Sequence, residues 1–131
     1  MLEFFLELRQ PRAVVVFPFR GALFWTEWSR GRGRARIARA QLDGTNATTI
    51  RDREIGWPNG LAIDTEHERL WWVAAQLDAM FNCALDGSDV KRVRGARIVQ
   101  PFSLTMDHNF VYFSDWRQGA ILKMNKTSPS E

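Results

Sequence analysis

An aromatic segment recurs along this chain, and its spacing limits the possible folds more than any other feature. The three copies are Phe24-Trp25-Thr26-Glu27, Trp71-Trp72-Val73-Ala74 and Tyr112-Phe113-Ser114-Asp115. From Phe24 to Trp71 is 47 residues, and from Trp71 to Tyr112 is 41. A repeat of this period indicates one supersecondary unit that is used several times.

Two further landmarks repeat in register with the aromatic segments. Ahead of each segment stands a proline followed by an apolar stretch, at 11–16, 58–64 and 101–107. Behind the segments come Leu42-Asp43-Gly44, Leu85-Asp86-Gly87 and the altered Met124-Asn125-Lys126. Three types of landmark that recur in one order cannot be explained by a single chance cluster of aromatic residues.

Each repeat has the pattern of short β-strands separated by turns. The predicted strands are 12–17, 22–27, 36–42 and 47–51 in the first unit, 61–63, 69–74, 79–85 and 90–94 in the second, and 103–106, 110–115 and 120–124 in the third. The Asp-Gly pairs are favoured hairpin corners. The continuous apolar run at 12–17 predicts a strand that is buried on both faces.

Four antiparallel strands in about 43 residues form a propeller blade. The predicted fold is therefore all-β, a partial propeller of about three four-stranded antiparallel blades in a single domain. The expected divisions are an outer strand of a preceding blade at 1–10, a first blade at 11–54, a second at 55–97 and an incomplete third at 98–131. A propeller closes with roughly four to eight blades, so the remaining blades of a parent propeller are expected partners.

Composition excludes several classes of protein. The chain has 131 residues and a formal charge of +3, which suits one globular domain. Cys83 is the only cysteine, so no internal disulfide can form, and we expect it to be a small buried hydrophobe. No apolar stretch is long enough to span a membrane, and residues 1–6 do not resemble a secretory leader.

The repeated segments resemble the Tyr-Trp-Thr-Asp repeats, or class B repeats, of the low-density lipoprotein receptor family. The likeness covers about residues 11–126, and its order is similar to the fourth, fifth and sixth blades of the receptor's six-bladed propeller. By this resemblance, the acidic residue that ends each motif ties neighbouring blades together. Glu27 and Asp115 keep that carboxylate, whereas Ala74 cannot supply it.

An arginine-glycine run between the second and third predicted strands is the most cationic part of the chain. Arg30, Arg32 and Arg34 alternate with glycine or alanine, and the run contains no acidic residue. This pattern is typical of a mobile loop that contacts anionic glycans or acidic protein surfaces. A solvated loop with no dedicated ligand and an RNA-binding loop are the alternatives, although we see no base-reading element.

Two histidines occupy equivalent positions in the second and third repeats. His67 and His108 each stand four residues before an aromatic segment, in a polar turn, so we expect them on the same rim of adjacent blades. Histidine changes charge between about pH 5 and 8. Because the receptor family releases ligand in acidic endosomes, the resemblance suggests a pH-sensing role, against the alternative of ordinary exposed turn residues.

The remaining candidates are sites of modification and contact. Asn46 and Asn125 each begin an Asn-x-Thr acceptor pattern for glycosylation. Trp28 and Trp116 follow the aromatic segment at matching offsets, which makes them candidates for a rim contact with a partner, although most tryptophans here are expected to pack between blades.

The sequence contains no motif for catalysis or cofactor binding. It lacks a His-Glu-x-x-His pair, a phosphate-cradling glycine loop and a nucleophile elbow. We therefore expect no catalytic residue, metal, cofactor or small-molecule substrate, and only a remote chance of a nucleic-acid partner.

The resemblance implies extracellular or cell-surface recognition of protein ligands. The predicted role is a non-catalytic ligand-recognition or scaffold segment of a low-density lipoprotein receptor-related protein, either an endocytic receptor or a Wnt co-receptor. The alternatives are a nidogen-like basement-membrane adaptor, a truncated product with no independent activity, and a basic RNA-binding protein that uses the arginine-glycine loop.

Overall fold

A computed structural model shows an all-β chain built from three antiparallel sheets. It describes residues 8, 10–28, 35–94 and 97–127. The first sheet, in the order β1-β2-β3-β4, comprises Gln10–Phe17, Ala22–Trp28, Arg36–Gln41 and Thr48–Arg51. The second, β5-β6-β7-β8, comprises Pro58–Asp64, Arg69–Ala74, Ala79–Ala84 and Lys91–Arg92. The third, β9-β10-β11, comprises Pro101–Met106, Phe110–Asp115 and Ala120–Asn125.

The sheets stack face to face, and one apolar core fills each gap. Trp72, Phe24 and Leu70 are among the fully buried side chains of the core between the first and second sheets. Trp71, Val111 and Phe113 belong to the core between the second and third sheets. The first strands of the three sheets, β1, β5 and β9, lie next to one another. This is the predicted stacking of propeller blades.

Glycine allows the closest approach between two sheets. A Cβ atom added to Gly60 in β5 would lie 2.8 Å from the backbone N of Leu104 and 2.8 Å from Cα of Ser103 in β9. Since real Cβ atoms do not approach backbone this closely, only glycine lets these two inner strands touch.

The hairpin corners form where the Asp-Gly pairs predict them. The backbone N–H of Thr45 donates to Oδ1 of Asp43 at 3.0 Å, and that of Ser88 donates to Oδ1 of Asp86 at 2.9 Å. Gly44 and Gly87 both have positive φ, as a turn of this kind requires. The corners therefore set the registers of the third and fourth strands.

One prediction about the first strand is wrong. Val14 is 64% exposed and Val16 is 49% exposed, so β1 is not buried on both faces. Val15 packs against the core shared with the second sheet, whereas Val14 and Val16 point to the opposite face. That outer face is apolar because Trp25 and Ala38 also lie on it, but among the described residues no further sheet covers it.

Candidate functional site

Exposed aromatic side chains collect at one edge of the stacked sheets. β1, β5 and β9 begin at this edge and β2, β6 and β10 end there, since Gln10 pairs with Trp28, Pro58 with Ala74 and Pro101 with Asp115. We call this surface the aromatic rim and define it by five side chains: Arg12, Trp28, Trp57, Phe102 and Trp116.

Trp28 links the first two sheets at the aromatic rim. Its Nε1–H donates to the carbonyl of Pro58 at 3.0 Å, and its ring centroid lies 5.7 Å from that of Trp57. The guanidinium carbon of Arg12 stands 3.7 Å from the centroid of the Trp28 ring, a cation–π geometry. Trp57 remains 50% exposed. The cluster thus presents a fixed cationic and aromatic surface to solvent.

Trp116 provides the corresponding surface on the third sheet. It is 64% exposed, and its ring stacks on Phe102 with centroids 4.5 Å apart and planes 19° from parallel. Its backbone N–H donates to the carbonyl of Gln100 at 3.0 Å, which fixes its position relative to the connection before β9. An exposed stacked pair whose backbone is held in place is better suited to binding a partner protein than to packing inside this one.

Asp115 holds the backbone beneath Trp116. Its Oδ2 accepts hydrogen bonds from the N–H groups of Val99 at 2.9 Å and Gln100 at 3.1 Å, and from Nε2 of Gln118 at 2.9 Å. Its Oδ1 accepts two more, from the N–H groups of Arg117 and Gln118, both at 3.1 Å. Burial opposes ionisation, but these donors outweigh it and lower the pKa of Asp115 to about 2.

A chain of polar contacts ties the three sheets together behind the rim. The N–H of Ala13 donates to Oγ1 of Thr26 at 3.0 Å, and that hydroxyl donates to the carbonyl of Asn59 at 3.3 Å. Nδ2 of Asn59 then reaches the carbonyl of Pro101 at 3.4 Å. Three inner strands are therefore coupled through buried groups, which keeps the rim side chains in a constant arrangement.

Comparison with known proteins identifies this arrangement. A family model described as low-density lipoprotein receptor repeat class B matches residues 21–65, which run from the start of β2 to just past β5. The nidogen chain in a nidogen/laminin complex superimposes with a TM-score of 0.84 and 30% identity, over 95% of this chain and 46% of that chain. Residues 21–65 thus form a low-density lipoprotein receptor class B repeat.

Proteins similar to this chain include an insect receptor and a human receptor-related protein. The vitellogenin receptor Yl of Drosophila melanogaster is 32% identical over 122 residues, which cover 93% of this chain and 6% of the receptor. The low-density lipoprotein receptor-related protein 5-like protein of Homo sapiens is 27% identical over 120 residues, which cover 92% of this chain and 46% of that protein. The chain thus spans less than half the length of each relative.

The repeat motif itself is mostly packing. Phe24, Trp71 and Trp72 fill the two cores between sheets, and Trp25 lies on the outer face of the first sheet. The remaining motif residues also alternate between faces: Thr26, Glu27, Val73, Ala74, Tyr112, Phe113, Ser114 and Asp115. The class B motif therefore builds the scaffold, and the rim residues stand beside it.

The residue at the acidic position of the motif makes different contacts in each of the three repeats. Asp115 ties the connection before β9 through the N–H groups of Val99 and Gln100, which lie within its own blade rather than in the neighbouring blade that the resemblance implies. Glu27 instead accepts from Nε1 of Trp25 at 3.2 Å and from the guanidinium of Arg36. At Ala74 the tie is made by backbone, because the N–H of Ala75 donates to the carbonyl of Trp57 at 3.1 Å. The second repeat thus closes its connection without a carboxylate.

The opposite edge carries both histidines, as the sequence predicts, and we call it the histidine rim. It is defined by Arg20, Asp64, Glu66, His67, Glu68, His108 and Lys126. His67 contacts Oδ2 of Asp64 through Nδ1 at 3.0 Å, while His108 pairs with Glu66. Arg20 also pairs with Glu68. Pairs of this rim join the first sheet to the second and the second to the third.

Asp64 is the buried anchor of the histidine rim. It accepts from the backbone N–H groups of Glu66 at 3.2 Å and His67 at 3.3 Å, and pairs with the ammonium of Lys126 at 3.2 Å. Burial opposes ionisation, but the contacts with His67 and Lys126 outweigh it and keep the pKa of Asp64 below its ordinary value. Asp64 therefore closes the turn that follows β5.

Of the other predicted sites, some lie outside the residues that the structure describes and others are exposed side chains. Arg30, Arg32 and Arg34 lie outside the described residues. Asn46 and Asn125 are both exposed, and Oδ1 of Asn125 accepts from the hydroxyl of Thr127 at 3.0 Å. Glycosylation at either stays a prediction.

Cys83 is fully buried, as the sequence predicts, and burial raises the pKa of its thiol to about 11. Within the described residues, no three His, Cys, Asp or Glu side chains cluster closely enough to hold a metal ion. The described part of the chain also has no helix of the length and apolarity needed to cross a membrane.

Sequence reasoning found two members of the aromatic rim and missed three. Trp28 and Trp116 were identified from their matching offsets after the motif. Arg12, Trp57 and Phe102 each flank the repeated proline that opens an inner strand, at Pro11, Pro58 and Pro101. Their position next to this proline could have identified them as rim residues, because residues beside the first proline of a strand lie at the edge of the sheet.

Proposed function

We propose that this chain is an extracellular, non-catalytic recognition segment of a low-density lipoprotein receptor-related protein. It binds protein ligands through the aromatic rim. The observation that carries the proposal is that two aromatic pairs reach solvent at this edge, Trp57 tilted against Trp28 and Trp116 stacked on Phe102, and that hydrogen bonds of the adjacent backbone and indole groups hold them in place. Tryptophan and arginine dominate the binding energy of protein interfaces.

The rim is suited to protein rather than to catalysis. Its side chains are aromatic or cationic, and it contains no nucleophile paired with a base. Rigid aromatic rings lose little conformational entropy on binding, because their rotamers are already fixed by stacking. We also propose blade divisions at 54/55 and 97/98, because both fall between sheets: β4 ends at Arg51 and β5 begins at Pro58, and β8 ends at Arg92 and β9 begins at Pro101. The other blades of the parent propeller are then partners of this chain.

Of the two receptor roles, the endocytic one is our first choice. Support comes from the 32% identity to the vitellogenin receptor Yl, which exceeds the 27% identity to the human receptor-related protein 5-like chain that represents the Wnt co-receptor role. By analogy, the ligand is a lipoprotein of the vitellogenin type, and Asn46 and Asn125 are glycosylated during secretion.

The experiment is a binding titration by surface plasmon resonance with immobilised wild-type chain and purified vitellogenin as the analyte. Trp57→Ala and Trp116→Ala should each weaken binding at least about tenfold, which is about 1.4 kcal/mol. The matched control is Phe19→Ala, because Phe19 is an aromatic residue that is 94% exposed outside the aromatic rim. Equal loss in all three variants, or no binding at all, contradicts the proposal.

A nidogen-like adaptor is the second candidate, favoured by the superposition on nidogen at a TM-score of 0.84. A laminin fragment run as a second analyte distinguishes the two. Binding of laminin but not vitellogenin, with the same dependence on Trp57 and Trp116, supports the adaptor.

Salt-sensitive binding of RNA that depends on Arg30, Arg32 and Arg34 supports the alternative of a basic RNA-binding protein. Absence of every interaction supports a product with no independent activity.

A further inference from the structure

Two stacks of the same kind lie at the aromatic rim, one on the first sheet and one on the third. In the third sheet, Phe102 follows the proline of β9 and stacks on Trp116 with ring centroids 4.5 Å apart. In the first sheet, Arg12 follows the proline of β1 and holds its guanidinium carbon 3.7 Å from the centroid of the Trp28 ring. Because repeats place equivalent residues at equivalent positions, the guanidinium of Arg12 takes the place that a phenyl ring has in the third sheet.

Packing at this position does not require a charge. Phe102 shows that a neutral ring fills the equivalent position. Arg12 is cationic and exposed, and in the described part of the chain no carboxylate forms an ion pair with it. Glu27, which lies opposite Pro11 in the pair of strands, is buried and pairs with Arg36. Within the described residues, the charge of Arg12 therefore remains available to a ligand.

The structure fixes where this guanidinium lies. The pairing of β1 with β2 changes register between Pro11 and Val14, and irregularities of this kind redirect side chains at sheet edges. Trp28, which contacts Arg12, is itself held by the hydrogen bond from its Nε1–H to the carbonyl of Pro58. An arginine that stacks on an aromatic ring still has N–H donors with which to bind a carboxylate bidentately.

We propose that Arg12 binds an aspartate or glutamate carboxylate of the protein ligand, and that an apolar side chain beside that carboxylate packs on Trp57. This inference rests on the proposed function, because it names what the ligand presents to the same rim. Trp57 is 50% exposed and its ring centroid lies 5.7 Å from that of Trp28, so an apolar group on it lies close to the guanidinium and excludes water from the ion pair. A sulfated glycan fits less well, because it carries many anionic groups and the cluster of Arg12, Trp28 and Trp57 holds one cation.

The test is a titration of the folded, ¹⁵N-labelled chain with the capped peptide acetyl-Leu-Glu-Leu-amide, followed by the indole N–H signals of Trp28 and Trp57. Both signals should shift in a saturable way at millimolar or lower concentration. The peptide acetyl-Leu-Gln-Leu-amide should bind at least about fivefold more weakly, because it keeps the shape and loses the charge that Arg12 recognises. Tighter binding of a heparin disaccharide than of the glutamate peptide contradicts the proposal.

Arg12→Phe is the most informative variant, because it builds in the first sheet the aromatic stack that the third sheet already has. It should leave the urea unfolding midpoint unchanged and lower the affinity for the glutamate peptide at least about fivefold, to that of the glutamine peptide. Lys123→Phe is the matched control. Lys123 is also an exposed cation on an aromatic ring, with its ammonium 3.8 Å from the centroid of Phe110, but β11 does not contribute to the aromatic rim. Lys123→Phe should leave binding of the peptide unchanged.

Equal affinity of the wild type for the two peptides, no saturable shift, or equal loss in Arg12→Phe and Lys123→Phe overturns the proposal. The comparison of peptides on the wild type remains valid if Arg12→Phe does not fold. The proposed function fails separately from this inference. Vitellogenin that binds through Trp57 and Trp116 with the same affinity in Arg12→Phe leaves the function and refutes the carboxylate site. Binding of the glutamate peptide without binding of vitellogenin refutes the function and leaves the site.

Discussion

Replacing Asp115 with asparagine tests whether one buried carboxylate holds the connection between the second and third sheets. The side chain is almost fully buried and accepts five hydrogen bonds, three of them at Oδ2. An asparagine of the same shape can keep the two acceptor contacts of one oxygen. Its NH₂ group then faces the N–H groups of Val99 and Gln100, which lose their acceptor.

The expected cost follows from those lost partners. A buried donor left unsatisfied costs about 1–3 kcal/mol, so the two backbone N–H groups predict a loss of about 2–6 kcal/mol in the free energy of unfolding. The assay is urea unfolding of wild-type and Asp115→Asn chains, followed by tryptophan fluorescence. Asp107→Asn is the control, because Asp107 also accepts from two backbone N–H groups but is exposed, and its loss should be much smaller.

The same carboxylate predicts a pH dependence of stability. Since folding lowers the pKa of Asp115 to about 2, its contribution is complete above the unfolded pKa of about 3.9 and is lost as the pH falls toward the folded value. Asp115→Asn should remove this part of the acid sensitivity. An unfolding free energy equal to that of the wild type at pH 7, with an unchanged acid profile, refutes the reasoning.

Three further predictions concern other contacts between sheets. Gly60→Ala should lower the free energy of unfolding by about 1–3 kcal/mol, because the added Cβ meets the backbone of β9 at 2.8 Å, and thermal melting checks this. Trp28→Phe should cost about 1 kcal/mol through loss of the hydrogen bond to Pro58 while the far-UV circular dichroism stays the same. If the histidine rim senses pH, a His67→Ala, His108→Ala double variant should abolish any difference in ligand release between pH 7 and pH 5; release that is unchanged in the variant assigns the histidines to ordinary turn positions.

Much of the fold could be predicted because apolar and polar residues alternate along the strands and because the turns contain characteristic polar and glycine residues. The strands Arg69–Ala74 and Phe110–Asp115 were predicted with the bounds that they have, since a polar turn precedes each. The fourth strand of the second sheet, Lys91–Arg92, is shorter than the predicted 90–94. The alternation of apolar and polar residues does not show where the hydrogen-bonded pairing of a strand ends, because that end depends on the neighbouring strand.

The features that make the candidate sites were less predictable because they arise from stacking. A strand's sequence does not show which sheet lies on each face, so the exposure of Val14 and the unpaired indole of Trp71 had no signal. The contact of Arg12 with Trp28 likewise depends on the twist of two strands. By contrast, the offsets of Trp28 and Trp116 marked the rim, since repeats place equivalent residues at equivalent edges.

The stacking of sheets that brings the aromatic rim together can be measured directly in solution. A nuclear Overhauser spectrum of the labelled chain should show cross-peaks from the Hα atoms of Gly60 to Hα of Ser103 and to the amide proton of Leu104, because these backbones touch across the gap between sheets. Absence of those cross-peaks, or a regular ladder of hydrogen-bonded pairs between β5 and β9, contradicts the stacked arrangement.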